Sequence, residues 1–157
     1  MKVKELMQTN MASLRDYDTL EAAEALMQVG WIRHLPVVTT TDQLVGILTQ
    51  RDLFKALPSS VLGATAAKQK RGIADVPVSE VMTKEVKAIG PEAELVEAVE
   101  IILANKFGGL PVVVEKKLVG MLTETDLLQY LLQLLKKAKR SHVSAQAARK
   151  MRPRLRT

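Results

Sequence analysis

The feature that most limits what this chain can become is that it repeats itself. Shifted by 75 residues, "VKELM" (Val3 to Met7) falls on "VSEVM" (Val78 to Met82), and "LPVV" (Leu35 to Val38) falls on "LPVV" (Leu110 to Val113). The shift then drops to 74, because "TTTDQ" is one residue longer than "VEKK", and "LVGILTQRDL" falls on "LVGMLTETDL". Polar hairpins tolerate such a change in length. A half-domain that cannot bury its own apolar face packs on its twin, so the repeat predicts two small halves sharing a core.

Each half reads as β-α-β-β-α, an α/β (α+β) class built twice. A helical turn, "VKELM" or "VSEVM", leads into a short strand near Ala12 to Leu14 or Val86 to Ile89. An amphipathic helix follows, "TLEAAEALMQVG" or "ELVEAVEIILANKF", apolar at Leu20, Ala23, Leu26 and Met27 and at Leu95, Ala98, Ile101 and Ile102. Asp18 with Glu21 reads as a capping box for the first of these, and Gly30 as its terminator. Two strands then form a hairpin, and a last helix starts near Asp52 or Asp126. The repeats span 1–57 and 75–135. Between them, 58–74 reads as a linker of small, polar and basic residues with a helical turn at Ala64 to Lys70. Beyond Asp126, leucine recurs on nearly every side of the helix (Leu127, Leu128, Leu131, Leu132, Leu134, Leu135). Such a helix needs two surfaces to cover it, the second of them in a homodimer.

Charge is divided unevenly. Of 23 Lys and Arg residues, nine fall in 136–157, where there is no Asp or Glu, and the remainder of the chain holds 14 basic against 17 acidic side chains. The basic end reads as a flexible C-terminal tail, either an electrostatic binder of nucleic acid or a solvated end that adds only solubility. No apolar run approaches the eighteen or so residues of a membrane span, and "MKVKELMQTN" lacks the apolar core of a secretory signal. There is no cysteine, and only His34 and His142 offer imidazole, so a thiolate zinc site is excluded and no structural metal is expected. A cytoplasmic setting is the expectation. No nucleophile–base pair or paired-carboxylate constellation is evident, and the chain is not read as an enzyme.

The apolar pattern does not explain why polar letters also return, as Gly46, Thr49 and Asp52 and again as Gly120, Thr123 and Asp126. An aspartate just inside a helix N-terminus can accept two hydrogen bonds, which suits the vicinal hydroxyls of a ribose. The threonine adds a hydroxyl, and the helix N-terminus favours phosphate. The plain alternative is that each pair only caps its helix, a role worth about 1 kcal/mol.

The doubled LPVV strand and the doubled Gly-x-x-Thr-x-x-Asp turn resemble a tandem pair of cystathionine-β-synthase-type (CBS) domains, a Bateman module, over residues 1–57 and 75–135. The resemblance implies a pseudo-twofold, non-catalytic sensor that assembles as a homodimer and reports to a regulated partner protein. Its two clefts would hold an adenosine nucleotide (AMP, ADP or ATP) or S-adenosylmethionine as regulatory ligand. It further implies that each ligand is held by the Thr and Asp of one half and by the first strand and pre-LPVV residues of the other. Thr123, Thr125 and Asp126 would then work with Asn10, Ala12, Ile32, Arg33 and His34. Thr49, Arg51 and Asp52 would work with Val86, Lys87, Phe107, Gly108 and Gly109. Arg33 and His34 bring donors matched to phosphate, whereas Gly108 and Gly109 leave the Asp52 cleft dependent on Lys87 or Arg51, so the Asp126 cleft is expected to bind more strongly. A solvated loop is the bland reading of Arg33 and His34. Trp31 reads either as packing or as a face for a base. The competing function is a structural dimerisation adaptor with degenerate clefts.

Overall fold

The computed structural model describes residues 1–56 and 74–150, with side chains as far as Arg140. The linker at 58–74, all but its last residue, and the turn expected at 64–70 lie outside the described residues, as do 151–157. In the first half, β1 (Leu14–Arg15), α1 (Leu20–Gly30), β2 (His34–Val38), β3 (Leu44–Thr49) and α2 (Gln50–Ala56) follow one another. In the second come α3 (Leu95–Asn105), β4 (Gly109–Val114), β5 (Lys117–Thr123) and α4 (Glu124–Lys150). β1 lies parallel to β2 with Leu14 opposite Val37, and Ile89 makes the same bridge to Val112 without extending into a strand. The antiparallel hairpins share one register, His34 opposite Thr49 and Gly109 opposite Thr123, with a bulge after Val37 and after Val112.

The one-residue difference between the hairpins resolves into a difference of turn. Glu115 and Lys116 make a two-residue turn with φ of 49° and 68°, both positive as a type I′ turn demands. The longer loop carries a single left-handed residue, Asp42 at φ 63°, after a turn closed by Asp42 N–H to the Thr39 carbonyl. Arg15 holds that loop through the Asp42 carboxylate at 2.8 Å and through the Thr39 carbonyl.

Helical periodicity gives α1 and α3 a single apolar stripe, and each stripe closes a core. Leu20, Ala23 and Met27 pack on Leu35, Val37 and Leu48, while Leu95, Ala98 and Ile102 pack on Leu110, Val112 and Leu122. Each core is completed by the opposite half. Val3, fully buried, lies in the second core with Leu6 and Met7 against it, and Val78 lies in the first with Val76, Val81 and Met82. Backbone bonds fix the exchange. Val3 N–H reaches the Ala93 carbonyl and Leu95 N–H the Met1 carbonyl, matched by Val78 to Asp18 and Leu20 to Val76. Each arm ends by pairing with a hairpin edge, Thr83 with Ile47 and Gln8 with Met121, every N···O between 2.8 and 3.0 Å. The repeated glycines permit this approach. A Cβ at Gly46 would stand 2.2 Å from the Met82 sulfur, and one at Gly120 would stand 2.8 Å from the Met7 sulfur. The sequence repeat and the packed lobe are therefore different units.

Three expectations are corrected. The N-cap of α1 is Thr19, whose Oγ1 accepts from Ala22 N–H at 3.3 Å, because Asp18 is engaged by Arg15 N–H at 2.7 Å in closing the turn after β1. The residue that ends α1 in the left-handed region is Trp31 (φ 52°), not Gly30, and Lys106 (φ 55°) does the same for α3. This bend returns the chain so that Ile32 N–H also reaches the Met27 carbonyl. Lastly, the helix expected over 126–140 continues unbroken to Lys150, taking in the first part of the expected tail. Neither Gly nor Pro occurs between Gly120 and Pro153, and alanines at 138, 145, 147 and 148 favour helix. Of the leucines on α4, Leu127 packs on the second core, whereas Leu128, Leu131, Leu132, Leu134 and Leu135 are exposed.

Candidate functional site

Thr49 ends β3, and Asp52 stands in the first turn of α2. Asp52 Oδ2 accepts from Thr49 N–H at 2.9 Å and from Thr49 Oγ1–H at 2.6 Å, and Thr49 Oγ1 accepts in return from Asp52 N–H at 3.3 Å. Thr123 and Asp126 repeat these bonds at 2.8, 2.6 and 3.3 Å. One carboxylate oxygen in each half thus serves as a helix cap. The halves differ in what the other oxygen does. Asp126 Oδ1 accepts from Gln8 Nε2–H at 2.9 Å, and the residue is only 6% exposed. Asp52 Oδ1 has no protein partner among the described residues, and Asp52 lines a cleft of about 890 Å³ between the lobes.

This cleft is rich in cations. Arg33, Arg51, Lys55, Lys87 and Lys106 line it, against the carboxylates of Asp52, Glu85 and Glu124. Lys87 is steadied by Asn105 Oδ1 at 2.9 Å. Ile47, Phe54, Phe107 and Pro111 add apolar surface. The arrangement offers a carboxylate oxygen for hydroxyl donors, cationic side chains for an anion and apolar walls for a ring.

The structure brings Thr49, Arg51 and Asp52 together with Val86, Lys87, Phe107, Gly108 and Gly109 on one cleft. Arg33 and His34, which the resemblance assigned to Asp126, line that same cleft. The reason lies in β2, where His34 pairs with Thr49, and in the close approach of its ring to the other lobe. A Cβ at Gly108 would stand 2.2 Å from His34 Cε1, so only glycine admits the imidazole there. Burial first, and the neighbouring Arg33 charge second, hold the His34 pKa below its ordinary 6.5, with Glu124 and Asp52 opposing. Of the other residues expected beside Asp126, Ala12 and Ile32 pack against the first core, Asn10 and Thr125 are exposed, and Thr123 is the cap partner already described. Trp31 is 93% exposed, which removes packing as its explanation.

The expectation that charge favours Asp126 is reversed. Where the Asp52 cleft has Arg51, Lys55, Lys87 and Lys106, the equivalent positions of the repeat hold Thr125, Gln129, Ala12 and Trp31. Sequence reasoning passed over Lys55, Lys106 and Thr83 on the cleft wall, and Gln8 on Asp126. Among the described residues no group of three or more His, Asp or Glu side chains can hold a metal, and no helix is long and apolar enough to cross a membrane.

Twin lobes that exchange their N-terminal arms around an interlobe cleft define a tandem-repeat module. The sequence profile of the CBS domain matches residues 3–59 and 78–133, and the chain belongs to the CBS domain family as a tandem pair. A CBS domain-containing protein of Dictyostelium discoideum is 33% identical over 134 residues, 85% of this chain and 92% of that one. The crystal structure of AcuB from Vibrio cholerae is 31% identical with a TM-score of 0.73, over 89% of this chain and 96% of that one. CBSX2, solved in complex with AMP, is 25% identical with a TM-score of 0.70, over 85% of this chain and 97% of that one.

Proposed function

We propose that this chain is a non-catalytic regulatory module that binds an adenosine nucleotide in the Asp52 cleft. Occupancy changes the relation between lobes, or between the subunits of a homodimer, and a partner protein reads the change. The observation that carries this reading is Asp52 Oδ1, an acceptor without a protein partner among the described residues, set in a cleft with five cationic side chains. Asp52 takes the ribose hydroxyls. Arg51, Lys87 and Arg33 take the phosphates, and Ile47, Phe54 and Pro111 face the base. CBSX2, with its bound AMP, supports adenosine as the nucleoside. The excess of cations favours AMP, ADP or ATP over S-adenosylmethionine, whose sulfonium adds a positive charge. The homodimer reading rests on the exposed leucines of α4, for which a second copy is the natural cover.

The test is calorimetric titration of the full chain with AMP, ADP, ATP, adenosine and S-adenosylmethionine side by side. The phosphorylated ligands should bind, with adenosine about tenfold or more weaker because it forfeits the charge-assisted bonds. Silence from all five up to millimolar concentration overturns the reading and leaves the structural adaptor in its place.

A further inference from the structure

We infer that Gln8 is a built-in occupant of the second cleft, its amide holding the Asp126 oxygen that a ribose would need, so that the chain takes one nucleotide and not two. This rests on the reading of Asp52 as a ribose ligand. The internal repeat supplies the comparison. Gln8 and Thr83 follow the matching methionines Met7 and Met82, and they make the same two-bond pairing with the matching residues Met121 and Ile47. Their side chains therefore start from the same place relative to Asp126 and Asp52. Thr83 lines the Asp52 cleft, and among the described residues the hydrogen bonds to that carboxylate come from Thr49 and not from Thr83. Glutamine is longer, and its amide reaches Asp126 Oδ1 at 2.9 Å.

The consequence shows in burial: Asp126 is 6% exposed while Asp52 is half-buried. An amide N–H on a carboxylate oxygen replaces the bond that a ribose hydroxyl would donate. Gln8 itself is exposed, so its side chain is a cover that can swing aside and not a piece of core. A nucleotide entering this cleft must first break a hydrogen bond to a charged acceptor, which lowers affinity by about ten- to hundredfold.

The experiment compares four full-length chains by calorimetry with AMP as probe: wild type, Asp52→Ala, Gln8→Thr, and Gln8→Thr with Asp52→Ala. Circular dichroism melts confirm that each is folded. Threonine is native at the equivalent position and should keep the edge pairing; Gln8→Ala serves as a second opening variant under the same criteria. Wild type should bind one AMP per chain and Asp52→Ala should lose it. The double variant should regain one, about tenfold or more tighter than any residual binding in Asp52→Ala, and lose it when Asp126→Ala is added. Two AMP bound to wild type overturns the inference. So does a folded double variant that binds no better than Asp52→Ala. If wild type and Gln8→Thr each bind a single AMP that Asp52→Ala abolishes, the ribose reading of Asp52 stands and the inference about Gln8 falls. If wild type binds none but Gln8→Thr binds one through Asp126, the blocking of Asp126 by Gln8 stands, while the Asp52 reading, and with it the count of one nucleotide per chain, falls.

Discussion

The exchanged arms predict a large stability cost at a position where one is seldom sought, the third residue of the chain. Val3 is fully buried in the core of the second lobe. Val3→Ala deletes two carbons, which at about 0.8 kcal/mol each loses about 1.6 kcal/mol of burial. A cavity of up to about 50 Å³ that the site does not collapse would add about 1 kcal/mol. The expected loss is therefore about 1.5–3 kcal/mol, or a fall of about 3–12 °C in melting midpoint for a chain of this size. Urea denaturation and thermal melts measure it. Thr9→Ala, on the same arm but exposed, is the control and should change stability by less than about 0.5 kcal/mol. Hydrogen exchange should show the amides of β4 and β5 losing protection before those of β2 and β3. If Val3→Ala costs no more than Thr9→Ala, the arm is not docked in the second core, and the account of the lobes is wrong.

Other outcomes follow from the cleft and the helices. Nucleotide at a hundred times its dissociation constant should add about 2.7 kcal/mol of stability. Asp52→Ala should remove most of that ligand-induced shift and Asp126→Ala little, each compared within its own variant because both lose their Thr cap bonds; equal losses would refute the asymmetry of the clefts. His34 has a folded pKa below 6.5, so the unfolded chain binds more protons. Stability should accordingly be level above that value and fall as pH drops below it, and His34→Gln should flatten the fall; a slope of opposite sign would mean that the ring is charged in the fold. Leu131→Asp should shift the light-scattering mass from dimer to monomer without lowering helix content, and a wild-type monomer at micromolar concentration would end the dimer proposal.

The β-α-β-β-α order was legible because each element carries its own period, three to four residues in α1 and α3 and an apolar strand run with proline at Pro36 and Pro111. The exchange of arms was not legible. Burial of Val3 and Val78 looks the same in sequence whichever lobe receives them, and the choice is made by long-range pairing with Ala93 and Asp18. Of the meanings weighed for the Thr–Asp turn, the cap is the one the hydrogen bonds display, and it uses one of the two carboxylate oxygens in each half. The distribution of charge is hidden in the linear sequence, where Arg33 and His34 stand out beside LPVV while the other cations of the cleft are scattered. Lys55 and Lys106 reach the cleft from the last turn of one helix and the C-cap of another, positions that look solvated in a linear reading. Gln8 did leave a signal: extending the aligned pentapeptides by one residue sets it against Thr83.

The exchange of arms also has a consequence for when the molecule can fold. During synthesis Val3 emerges ahead of the rest of its core, which is not complete until Leu122 has been made, about 120 residues and roughly 6–24 s later at ordinary rates of elongation. The first lobe must wait as well, for Val78 and Met82. A chain of two similar halves would ordinarily finish one before starting the other, but here neither half owns all the parts it needs. Nascent chains arrested before Val78 should therefore remain open to protease along their whole length, with protection of the first lobe arriving only once Met82 has been made and that of the second only after Leu122. Early protection of α1 and β2 in a chain that ends at Ala56 would show that the first lobe holds itself closed without its borrowed arm.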